Sequence, residues 1–130
     1  HYPAYTGELQ NKQMRIGEHS DYGTITLLWQ INDVPGLEVQ DLNGSWHPVP
    51  YADDGVVVNI GDLLQRWTND YFVSTKHRVV NTHIDQTRYS MPHFVDPTPG
   101  TIVKNLRNEP DKYEAIESKE YLMWRLSQSY

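Results

Sequence analysis

Apolar positions come in short bursts along most of the chain, and only the C-terminal stretch carries a longer period. Residues 4–18 (AYTGELQNKQMRIGE) are polar without a clean repeat and read as a loop. Residues 22–31 (YGTITLLWQI) are rich in β-branched, aromatic and aliphatic side chains, the composition of a strand. Asn, Asp, Pro and Gly make residues 32–36 a turn. LEVQDL alternates as a short strand, Asn43-Gly44 behind it is a hairpin signal, and the prolines of SWHPVP suit a return strand at a sheet edge. A turn over residues 51–55 leads to VVVNI, which reads as a buried strand stopped by Gly61. DLLQRWTND supports a helical turn at most. RVVNTHI and YSMPHFV read as two more strands separated by Asp85-Gln86-Thr87. From Tyr113 onward Ile116, Tyr121, Leu122, Trp124 and Leu126 recur roughly on one helical side. Short strands between regular turn signals predict a mainly β domain, a sandwich or barrel, with a C-terminal helix packed outside.

The 130 residues fit one domain. Seventeen Asp plus Glu against eleven Lys plus Arg give a net charge of −6, which argues against a nucleic-acid partner because phosphate backbones are repelled. No apolar run reaches the roughly 20 residues that span a bilayer, so a membrane partner is not expected either. There is no cysteine, which removes disulfides, zinc–thiolate sites, iron–sulfur clusters and cysteine nucleophiles. Any metal must be held by His, Asp or Glu. No charged-then-apolar leader pattern is visible, and with no cysteine the simplest expected location is cytoplasmic.

Among six histidines, His19 stands apart because Ser20-Asp21 follows it. In extended chain, residues two apart face one side, so an imidazole and a carboxylate are aimed at one point. One distant His would complete the two-His, one-carboxylate face typical of non-heme Fe(II) oxygenases. His77 leads as that third ligand because it opens the apolar strand HRVV, while pattern alone leaves His47, His83 and His93 open. Arg88 and Ser90 are also two apart, and a guanidinium with a hydroxyl makes a receptor for a carboxylate. Asp53 and Asp54 fall in a turn, and Asp62, after Gly61, is expected to cap the next turn. Trp29, Trp46, Trp67 and Trp124 are expected to serve packing.

At these residues the chain resembles a family. Residues 19–28 (HSDYGTITLL) resemble the first iron-binding segment of the 2-oxoglutarate- and Fe(II)-dependent dioxygenases, in the isopenicillin N synthase-like branch. Residues 58–69 (VNIGDLLQRWTN) resemble that branch's central strand and turn, and residues 74–80 (STKHRVV) its distal-ligand segment. Arg88-Tyr89-Ser90 resembles its Arg-x-Ser signature, and residues 94–97 its Phe-x-x-Pro. The resemblance implies a double-stranded β-helix, or jelly roll, over residues 1–104, with residues 105–130 as a helical extension of the same domain. The family's N-terminal region has no counterpart. It further implies iron on His19, Asp21 and His77, with 2-oxoglutarate's far carboxylate on Arg88 and Ser90 and the Tyr2 hydroxyl added to it. Phe94 would line the pocket of a small-molecule substrate oxidised with O2, and His93 stands where the branch usually has a hydrophobic residue. Hydroxylation, desaturation and ring closure are all open. Competing readings are an isopenicillin N synthase-like oxidase that uses no 2-oxoglutarate, a zinc hydrolase, and a cupin-like metal-binding domain without oxygenase activity.

Overall fold

The computed structural model describes residues 1–7 and 14–128. Among these the chain runs β1 (Ile16–His19), β2 (Ile25–Gln30), β3 (Leu37–Gln40), β4 (Trp46–Pro48), β5 (Val57–Ile60), α1 (Asp62–Trp67), β6 (His77–Val79), β7 (Ser90–Val95), β8 (Ile102–Val103), β9 (Ile116–Glu117) and α2 (Ser118–Ser127). One sheet has the order β1-β6-β3-β4, a second β5-β2-β7, and β8 pairs with β9. The fold is mainly β with a C-terminal helix, as the short apolar bursts predict.

The four-stranded sheet is antiparallel throughout. Its register follows from side-chain pairing across strands. Leu37 faces Val79, and both are buried. Glu38 faces Arg78, which pairs with it at 2.6 Å and lies 4.1 Å over the Trp46 ring. The hairpin turn after β3 is built by Asp41, whose Oδ1 accepts from the amides of Asn43 and Ser45, each at 2.9 Å. Gly44 adopts φ +86°, a conformation that glycine alone visits without strain. β4 lies at the sheet edge, where its proline costs no ladder bond.

Several elements depart from the pattern reading. β1 forms inside the stretch read as a loop, part of which (residues 8–13) lies outside the described residues. Three of its four positions are exposed, so no alternation marks it, and pairing with β6 creates it. β5 is not buried, with Val58 57% exposed. β8 and β9 are too short to carry a period. In α2, Ser118 and Tyr121 are the buried positions, while Trp124 stays 53% exposed and Ile116 belongs to β9, so the helix is less amphipathic than its spacing implies. α1 does form, but Asp62 does not cap it. Gly61 is the N-cap, and the Asp62 carboxylate is engaged elsewhere.

The chain divides into two compact units. One comprises His1–His19, Leu28–Val57 and Thr75–Pro92, and it buries Val34, Leu37 and Val79. The other comprises Ser20–Leu27, Val58–Ser74 and His93–Tyr130, and its core is Leu63, Val103 and Tyr121, with Trp67 and Ile116 packed against them. No helix among the described residues is long and apolar enough to cross a membrane.

Glu117 starts α2 with its side chain. It accepts from the amides of Lys119 and Glu120, each at 3.0 Å, and from Gly100 at 2.6 Å. These amides, led by Lys119 and Gly100, hold its carboxyl down to about 2. A depressed carboxyl stabilises the fold above its unfolded value, and that contribution is lost as pH falls toward the folded value. The expected result is that Glu117→Gln lowers Tm at neutral pH, and that the gap from wild type closes between about pH 4.5 and about 2. A gap independent of pH in that window would show that the cap does not work through its charge.

Candidate metal centre and anion pocket

β6 is an inner strand, paired with β1 on one side and β3 on the other. Its first residue, His77, faces His19 in register, and their ring centroids lie 4.2 Å apart at 55°. Both rings are fixed by the same local device. His19 Nδ1 lies 2.9 Å from the Gly17 carbonyl, and His77 Nδ1 lies 3.0 Å from the Thr75 carbonyl. A carbonyl only accepts, so each Nδ1 carries the proton, which leaves Nε2 as the nitrogen able to ligate a metal.

Asp21 lies two residues beyond His19 and is 8% exposed. Its Oδ2 accepts from the Thr26 hydroxyl at 2.5 Å and from Asn59 Nδ2 at 2.8 Å. Its carbonyl accepts from the Asp62 amide at 2.8 Å, while Leu63 and Gly61 donate to the carbonyls of Gly23 and Thr24. The start of α1 thereby grips the turn after Asp21. Only glycine fits at position 61, since a Cβ there would collide with the Gly23 carbonyl oxygen.

One potential ligand atom from each of His19, Asp21 and His77 lies within 4.8 Å of the others, and among the described residues this is the only such group of three. His47 is exposed and bonded to Asp41 at 2.8 Å, and His83 and His93 are exposed as well. The structure therefore gathers the three residues that the His-x-Asp spacing and the HRVV strand single out. Thr26 and Asn59 were not anticipated. Their signal is a polar residue set in an apolar strand, ITLLW and VVVNI, where burial at Thr26 and part-burial at Asn59 favour a partner.

A second candidate site lies within the first unit. Arg88 is 1% exposed. It exchanges backbone hydrogen bonds with Tyr2, each at 2.9 Å, which draws the Tyr2 ring to 5.3 Å from the guanidinium carbon. Nη1 donates to Ser90 Oγ at 3.0 Å, and Nη2 reaches Gln30 Oε1 at 3.5 Å. Gln30 is a further residue that the spacing did not expose. Burial pushes the guanidinium below its ordinary range. Tyr2 opposes that shift, and the nearby Arg15 adds to it. Among the described residues no carboxylate pairs with Arg88, although an unpaired buried charge costs several kcal/mol. An incoming anion would supply the missing partner, and Ser90, accepting from Arg88, would turn its own O–H toward it. Phe94 is 56% exposed on β7.

The donor set fits a divalent iron. Two imidazole nitrogens and one carboxylate suit Fe(II), and three protein ligands leave room for small-molecule ligands. The second donors on each ligand, carbonyls behind the histidines and Thr26 with Asn59 behind the carboxylate, are what such a centre requires.

Comparison with known proteins agrees. The chain is 39% identical over 143 residues to a 2-oxoglutarate-Fe(II) type oxidoreductase of Metarhizium rileyi, covering all of this chain and 40% of that protein. It is 42% identical over 145 residues to a proline hydroxylase of Petromyces alliaceus, covering all of this chain and 45% of that one. A full-length Neurospora crassa protein, crystallised in complex with alpha-KG and thymine, superposes with a TM-score of 0.82 at 41% identity, over 91% of this chain and 38% of that one. The chain thus spans less than half the length of these relatives, and its own fold is the jelly roll. The model of the 2OG-Fe(II) oxygenase superfamily matches residues 1–97, across β1 to β7 and both candidate sites, and the chain belongs to that superfamily.

Proposed function

We propose that the chain is the catalytic region of an Fe(II)- and 2-oxoglutarate-dependent dioxygenase that oxidises a small molecule. The observation that carries this reading is the convergence of His19, Asp21 and His77. In it, the two Nε2 atoms and one Asp21 oxygen hold the metal. Bound iron supplies the redox chemistry in which O2 oxidises the substrate while 2-oxoglutarate is decarboxylated to succinate. Arg88 binds the far carboxylate of 2-oxoglutarate through its fork, Ser90 adds a hydroxyl, and Tyr2 packs beneath the guanidinium with its own hydroxyl nearby. Residues 1–104 make the jelly-roll core and residues 105–130 its helical extension. Phe94, exposed on β7, would meet the substrate. The proline of one relative's name and the thymine bound to another support a small-molecule substrate.

Anaerobic addition of Fe(II) and then 2-oxoglutarate tests the reading. A visible charge-transfer absorption that needs both, and succinate formed on admitting air with a substrate, is the expected result. Iron binding with substrate oxidation but no 2-oxoglutarate consumption would favour an isopenicillin N synthase-like oxidase. A colourless protein that binds only zinc would overturn the oxygenase reading.

A further inference from the structure

Both residues that flank Asp21 connect to Arg125 of the C-terminal helix, Tyr22 directly and Ser20 through Asp62 of α1. Ser20 Oγ donates to Asp62 Oδ2 at 3.2 Å, and the same oxygen pairs with Arg125 Nη2 at 2.9 Å. Arg125 comes from α2, and its guanidinium carbon lies 4.5 Å over the Tyr22 ring. Asp62 stands at the first position of α1, so its amide holds the Asp21 carbonyl while its carboxylate holds Ser20. All five residues lie in one compact unit.

We propose that Arg125 is a positioning residue for the metal centre: through Asp62 it anchors Ser20, through its stack it anchors Tyr22, and so it fixes the direction in which Asp21 presents its carboxylate. The inference rests on the iron reading above and deepens it.

The physical case is one of rigidity and burial. A His-x-Asp pair can meet one metal atom only if the intervening residue is held in extended backbone with its side chain turned away. The Ser20–Asp62 bond supplies that hold. It is only as firm as Asp62, a carboxylate with a side chain 12% exposed. Arg125 is the cation that pairs with it, and at 28% exposure the pair is screened less than a surface one. Without Arg125, the Asp62 carboxylate would turn toward water and release Ser20. Tyr22 would lose its platform at the same time. Site geometry depends on such supporting contacts, and their loss typically weakens metal binding by roughly 10–100-fold.

Mn(II) affinity, read from the electron paramagnetic resonance of the free ion, tests this without turnover. Asp21→Ala is the reference. It should lose Mn(II), and if it binds as wild type does, the metal reading itself fails. Arg125→Met should bind Mn(II) roughly tenfold more weakly. Arg125→Lys should recover part of that, keeping the charge toward Asp62 but not the fork. Ser20→Ala should weaken binding less, and combined with Arg125→Met it should add little, because both break one chain of contacts. Arg107→Met, which breaks the separate pair with Glu109 at 2.9 Å, is the control for general loosening. If Asp21→Ala loses Mn(II) while Arg125→Met keeps wild-type affinity, Arg125 does not position the site. The same conclusion follows if Arg107→Met weakens Mn(II) as much at an equal loss of Tm, or if the Ser20 and Arg125 effects simply add.

Discussion

His77→Ala is expected to abolish Fe(II) and Mn(II) binding, whereas His47→Ala leaves both at wild-type affinity. His77 is on an inner strand with its ring orientation set by the Thr75 carbonyl, and it faces His19 in register. On the proposed ligand set, removing it leaves two protein ligands of three. Loss of even an outer partner typically costs about 10–100-fold in affinity, so loss of a direct ligand should exceed about 100-fold. The backbone ladder that β6 makes with β1 and β3 survives the substitution, so the variant should remain folded, which circular dichroism checks. His47 bonds Asp41 near the hairpin turn and touches no part of the centre. Isothermal titration under anaerobic conditions reads the difference. Iron held by the His77 variant at wild-type affinity would remove this residue from the ligand set.

How much of this centre was legible in the sequence depends on the range of the interaction. His19-Ser20-Asp21 could be read because two residues in extended chain share a face by backbone geometry alone. Arg88 and Ser90 share a strand face by the same rule. His77 could be ranked first but not fixed by pattern, since its pairing with His19 is a contact across 58 residues that no local period encodes. β1 shows the same limit, because an exposed edge stretch becomes a strand only when its partner arrives. The C-terminal helix was legible, yet its packing was not. The spacing puts Tyr121 and Trp124 on one side, while the fold buries Tyr121 with Leu63 and Val103 and leaves Trp124 53% exposed. Asp62 is the clearest case. Read locally, an Asp at a helix start is a cap. In the folded chain its carboxylate serves Ser20 and Arg125, and Gly61 takes the N-cap because only glycine clears the Gly23 carbonyl. Thr26 and Asn59 could be found by asking what a polar side chain set in an apolar strand is for, buried at Thr26 and half-buried at Asn59.

Arg88→Ala is expected to raise the Michaelis constant for 2-oxoglutarate by about 10- to 150-fold. Arg88 is buried with a hydroxyl and an amide oxygen as partners, and the far carboxylate would complete its hydrogen bonding and balance its charge. A charge-assisted contact of this kind contributes about 1.5–3 kcal/mol, which converts to that range. Arg88→Lys should recover only part, because an ammonium cannot present the planar fork. Ser90→Ala should cost about 1 kcal/mol, one neutral hydrogen bond. The residue is also a packing element over Tyr2, so a higher Michaelis constant alone does not separate recognition from loosening. Selectivity does. Wild type should prefer 2-oxoglutarate strongly over a 2-oxo acid that lacks the second carboxylate, and in Arg88→Ala that preference should collapse, since both molecules then meet the same pocket without a cation. Loosening would weaken both and leave their ratio standing. If the ratio of kcat/KM for the two acids is unchanged in the variant, Arg88 does not read the far carboxylate, and its buried charge serves the substrate or the fold instead.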